Sequence, residues 1–178
     1  MIRIGILAAA LLLAGCTTTP RPAQQDAFFA ALSSHCGQRL HGRLISSDPQ
    51  DADMAGKPMV ATFGECSAQA VRINFAVGDD SSRNWLITRT PVGLRLKHIH
   101  LHKDGSEDEL SRYGGDTVAA GTAVRQEFPV DAFSKDLFTR RNTAQSNTNI
   151  WAVEVEPARS FAYELRRAGR FFRVELQR

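Results

Sequence analysis

Residues 83–117 read RNWLITRTPVGLRLKHIHLHKDGSEDELSRYGGDT. Asn84 to Thr90 alternates, with Trp85, Ile87 and Arg89 on one face. Thr90-Pro91-Val92-Gly93 is a tight turn, in which Pro91 pre-sets φ and Gly93 closes the corner. A strand from Leu94 to His102 follows. It places Leu94, Leu96, His98, His100 and His102 on one face, and Arg95, Lys97, Ile99 and Leu101 on the other. Three of the chain's five histidines therefore form one row. Lys103 to Asp116 reads as a polar loop.

Working outward, the same period of two recurs. Strands are predicted over residues 40–46, 58–63, 70–77, 118–128, 150–156, 161–167 and 171–176. Two short helices break the series. Residues 26–34, DAFFAALSS, carry a Phe28, Phe29, Leu32 stripe behind an Asp26 cap, and residues 129–141 begin with Pro129 and an Asp131 cap. Eight or nine strands joined mostly by short turns expose many edges, and antiparallel closure hides them. The expected fold is mainly β: a single antiparallel, lipocalin-like β-barrel or a strongly bent sheet, with a β-sandwich as the alternative.

The chain has 22 basic and 19 acidic side chains. That near balance lacks the basic stripe of a nucleic-acid binder. No nucleotide-binding, zincin or serine-hydrolase motif is present.

At the N-terminus, Met1-Ile2-Arg3 is followed by an uncharged, largely apolar run to Leu13, too short to span a bilayer, and then by Leu13-Ala14-Gly15-Cys16. This resembles the lipobox of bacterial lipoprotein signal peptides. The resemblance implies that residues 1–15 are removed, that Cys16 becomes the acylated first residue, and that the protein is held to the membrane by its lipid anchor. Thr17 in place of Asp implies the outer membrane. Residues 16–25 then serve as the lipidated cysteine and tether of a β-rich domain over residues 26–178, which is held within roughly 25 Å of the membrane at about 3.3 Å per residue. The HIHLHKDG and YGGD stretches resemble sequences of uncharacterised proteobacterial envelope proteins, and this likeness brings no activity with it.

Cys36 and Cys66 remain, and an oxidising envelope predicts a disulfide. The alternatives are free thiols or a Cys/His metal site using His35, for which the C-x-x-C spacing is lacking.

The candidate chemistry gathers near the histidine row. Same-face neighbours on a strand stand about 6.6–7 Å apart, so two imidazoles can converge on one ion while three cannot. A divalent metal such as zinc would use His98 and His100 with an acid from the loop, Asp104 first. A metal-dependent hydrolase could be built there. The competing reading is a polar or ligand-lining face without metal, binding a small molecule or an envelope component. Its candidate residues are His98, His100, His102, Arg89, Tyr113 and Asp116. Haem binding through a barrel histidine is the third reading, and a purely structural envelope protein the fourth. Arg72, Arg83, Arg95, Arg125, Glu127, Glu154, Glu164, Arg166 and Arg173 are read mainly as a wet outer face paired across strands, the alternative being that some face inward and hold an anionic or amphipathic ligand. Gly114-Gly115 is read as a sharp turn, or as a place where backbone approaches a ligand.

Overall fold

The structure is a computed structural model that describes residues 21–178. Cys16 and most of the stretch expected to be leader and tether lie outside the described residues.

Ten antiparallel strands form one sheet. They are β1 (Arg39–Leu44), β2 (Met59–Cys66), β3 (Ala70–Val77), β4 (Asp80–Arg89), β5 (Leu94–His100), β6 (Tyr113–Asp116), β7 (Arg125–Pro129), β8 (Ile150–Glu156), β9 (Ser160–Arg167) and β10 (Arg170–Gln177). Their order is β6-β5-β4-β3-β2-β1-β10-β9-β8-β7. The sheet is thus two meanders, β1–β6 and β7–β10, joined where β1 pairs with β10. The two ends of the series meet again through the Gly115–Val130 bridge, which all but closes a barrel. The barrel-like architecture matches the expectation, with more strands than the sequence predicts.

Both junctions between the meanders depend on glycine. A Cβ on Gly42 would stand 1.8 Å from the Glu175 carbonyl oxygen, and one on Gly115 would stand 1.8 Å from that of Pro129. A Cβ on Gly114 would stand 1.9 Å from the Leu96 carbonyl. Gly114-Gly115 is therefore neither a turn nor a ligand contact: it is strand, narrowed so that backbones can touch. Helix α2 (Ala132–Arg140) seals this seam. Its buried Ser134 accepts from the Gly114 amide at 2.7 Å and donates to the Gly114 carbonyl at 3.0 Å. Asp131 caps α2 as expected, accepting from the Ser134 amide at 2.8 Å.

Helix α1 (Ala23–Ser33) closes the end marked by the β4–β5 turn, here the lower end. It starts before the expected Asp26. Asp26 does not cap it but binds Arg21 at 2.8 Å and also Arg89. Arg21 donates to the Thr90 carbonyl at 2.7 Å, and Gln25 donates to the Ala119 carbonyl at 2.9 Å. At the far side of that end, His35 donates to the Glu156 carbonyl at 3.1 Å, and the Ser34 hydroxyl accepts from the Ala158 amide. Phe28 and Leu32 are fully buried beneath the helix. The Cys36–Cys66 disulfide, with its Cα atoms 6.2 Å apart, ties the helix end to β2. Closing a loop of 30 residues contributes about 3–4 kcal/mol in the chain-entropy model.

The barrel middle is filled. Trp85 is stacked between Phe75 at 4.5 Å and Tyr163 at 4.3 Å, and Phe161 lies beside it at 5.7 Å. Most of the charged strand positions form the expected outer ladder, while Arg83 borders the upper cavity. Arg173 binds Glu154 and Glu175, Arg125 reaches Glu164 at 2.6 Å, and Arg166 binds Glu127 through both oxygens at 2.8 and 2.9 Å.

Candidate functional site

Strand β5 stops at His100, and His98 and His100 enter the upper end of the barrel with unequal burial. His98 is buried and His100 is half-buried. His98 Nδ1 stands 3.1 Å from the Tyr113 carbonyl oxygen. A carbonyl can only accept, so Nδ1 carries the proton. Nε2 then accepts from the Tyr163 hydroxyl at 2.6 Å. Burial pushes the His98 pKa down to about 3, which holds the ring neutral. His100 Nε2 lies 2.9 Å from the Tyr113 hydroxyl, and burial lowers its pKa too, with Arg83 adding to the effect. Burial raises the phenols of Tyr113 and Tyr163, so both keep their protons.

These groups line a cavity of about 140 Å³. Its apolar walls are Phe75, Trp85, Leu165 and Phe172, and its polar lining is Asn84, His98, His100, Tyr113 and Tyr163. Arg83, Arg170, Asp51 and Met54 complete it. Neither arginine offers a bare charge. Arg83 binds Asp80 at 2.5 Å. Arg170, with only 9% of its side chain exposed, binds Asp51 through two bonds at 2.5 and 2.6 Å. A second hollow of about 360 Å³ shares His100, Tyr113, Tyr163 and Leu165, and lies under Phe138 and Trp151.

The structure brings together His98, His100 and Tyr113 from the sequence-derived set and leaves the others elsewhere. The histidine row is broken. Leu101 bridges to Glu107, and His102 turns into the loop, exposed and 3.8 Å from Asp108. Asp104 caps its own turn, accepting from the Ser106 amide at 3.0 Å and the Ser106 hydroxyl at 2.6 Å. Asp116 pairs with Arg95 at 2.6 and 2.7 Å on the outer face. Arg89 sits at the lower end, with its guanidinium 4.3 Å over the Phe29 ring, so it fastens α1 rather than lining the cavity.

The zinc set of His98, His100 and Asp104 does not form. Among the described residues, no three His, Cys, Asp or Glu side chains stand together to hold a metal ion. The Nδ1–carbonyl bond is the kind that orients a ligating histidine, but the Tyr163 hydroxyl occupies the other nitrogen. The sequence reading missed Tyr163 and the Arg170–Asp51 pair. Tyr163 was legible as the polar member of the inward set Phe161, Tyr163, Leu165, because a buried phenol needs a partner. The Arg170–Asp51 pair joins residues 119 positions apart, and no local pattern signals it.

Compared with protein-family models, curated proteins and solved structures, the chain has no match.

Proposed function

We propose that this chain is an outer-membrane-anchored lipoprotein whose periplasmic barrel binds a small, uncharged, planar molecule in the upper cavity. The anchoring part of the reading rests on the lipobox. The binding part rests on one observation: neutral imidazoles, protonated phenols and aromatic faces converge on about 140 Å³ of space. An apolar cavity of roughly 150 Å³ accommodates a benzene-sized molecule. Aromatic walls favour a flat ligand, and the hydroxyl oxygens of Tyr113 and Tyr163, whose protons can go to the imidazoles, keep lone pairs that accept from its N–H or O–H.

The charge state narrows the ligand further. The arginines at the cavity already hold carboxylates, and the central His98 is neutral. An anion at Arg170 would have to displace Asp51 from a buried guanidinium, whereas at Arg83 it would compete with the more exposed Asp80. A neutral phenol or indole displaces only water. Among the described residues the metal-dependent hydrolase has no set of donors to support it, since Asp104 is committed to its own turn.

The experiment is a tryptophan-emission titration of the mature domain with phenol, indole, benzoate and a phosphate monoester. Saturable quenching by the neutral compounds, with little response to the anions, is the expected outcome. Quenching by the anions alone, or by none of the four in a folded protein, contradicts the proposal.

A further inference from the structure

The two ends of the barrel differ sharply in charge. The upper loops at residues 45–58, 78–79, 101–112 and 141–149 carry eight acidic and four basic side chains. The lower loops at residues 67–69, 90–93, 117–124 and 157–159 carry only Arg159. The most exposed large apolar side chains, Val118 at 80% and Val92 at 65%, stand among the lower loops with Val124 at 50%, while Ile45 and Phe171 are exposed among the charges of the upper end and Phe133 on α2. Val92 and Val118 lie on adjacent loops, because the Thr117 hydroxyl accepts from the Leu94 amide at 3.0 Å and the Thr117 amide donates to the Leu94 carbonyl at 2.9 Å.

The described chain also enters at this end, where Arg21 is bonded to the Thr90 carbonyl beside Val92. Cys16 precedes Arg21 by five residues, so at about 3.3–3.6 Å per residue the reach is about 17 Å. The strands are about 25 Å long at eight residues and 3.3 Å each. A tether this short brings the lower end to the bilayer and cannot bring the upper loops there unless the barrel lies over. An acidic surface is repelled by anionic lipid, whereas a surface with few charges and apolar tips meets the boundary between headgroups and acyl chains without that cost.

We infer that the lower end is a membrane-facing surface: Val92, Val118 and Val124 rest on the bilayer that holds the Cys16 acyl chains, and the upper cavity opens away from it. This rests on the lipoprotein reading above. The test uses the full chain, made with its leader and reconstituted in phosphatidylethanolamine–phosphatidylglycerol vesicles. A polarity-sensitive fluorophore is placed through Val118→Cys, or through Lys103→Cys in an upper loop as the opposite pole. Intact mass is measured first. The expected result is an acylated Cys16, a blue-shifted probe at position 118 quenched severalfold by a lipid-borne quencher, and an unquenched probe at position 103. An acylated chain whose position-118 probe stays in water, or whose position-103 probe is quenched instead, overturns the inference alone. A mature chain without acyl groups overturns the lipoprotein reading and this inference with it.

Discussion

The lower end of the barrel is closed and the upper end is not. Both are built from the same inward alternation of apolar residues. At the lower end a helix lies across the opening, and Phe28, Leu32, Arg89 and the disulfide fix it in place. At the upper end α2 covers only the seam, and the space above Trp85 is ringed by hydroxyls, imidazoles and paired charges. Inward polar groups that have all found partners mark a cavity with its own geometry, whereas apolar side chains under a helix mark a plug. The difference teaches that position along a strand decides the role. Arg89 and His98 face inward on paired strands, yet one is a fastening and the other lines a cavity.

The strongest way to break the comparison is to open the seam that both ends share. Gly115→Ala places a methyl group against the Pro129 carbonyl and should cost about 3 kcal/mol or more, measured by urea unfolding. Stability within about 1 kcal/mol of the parent would mean that β6 and β7 do not need this approach. Next comes the buried ion pair of the upper end. Arg170→Met leaves Asp51 without its charge partner and should cost about 3–5 kcal/mol. Cys36→Ser with Cys66→Ser loosens only the lower end. It should lower stability by about 3 kcal/mol while leaving ligand-induced quenching unchanged. Loss of that quenching in a still-folded protein would tie the two ends together.

A pH titration sharpens the contrast. The folded pKa of His98 lies near 3, below the unfolded value near 6.5. Between those values the unfolded chain binds the extra proton, so stability rises with pH across this window. It is fully present above pH 6.5 and is lost on acidification at up to about 1.4 kcal/mol per pH unit. His98→Gln should flatten that slope, and an unchanged slope would place the sensitivity elsewhere. The smallest effect belongs to Tyr163→Phe. Losing the hydroxyl that bonds Nε2 should weaken phenol binding about tenfold or less, in keeping with about 1 kcal/mol for one hydrogen bond.

Much of this fold was legible. Val71, Ile73, Phe75 and Val77 alternate cleanly and form the inward side of β3. Strand β6 was not legible, because Tyr-Gly-Gly-Asp has neither β-branched residues nor an apolar alternation. Its glycines answer to the backbones of β5 and β7, which are distant in sequence. Val118 to Phe128 reads as a strand with a break at Gly121 and proves to be a loop followed by β7. Of the site, His98, His100 and Tyr113 were visible because they lie on one stretch. Their partners Tyr163, Phe172 and Arg170 come from the other meander, and closure alone brings them together. The expectation for Asp104 failed for a local reason: an Asp with Ser two residues later satisfies its own turn before it can reach a distant histidine.

The most direct test of the central claim follows the two indole N–H signals, from Trp85 and Trp151, by NMR during titration with phenol. The account predicts that the Trp85 signal moves saturably, that the Trp151 signal moves less, and that benzoate at equal concentration moves neither. A stationary Trp85 signal, or an equal response to benzoate, would contradict a neutral-ligand cavity at the upper end of the barrel.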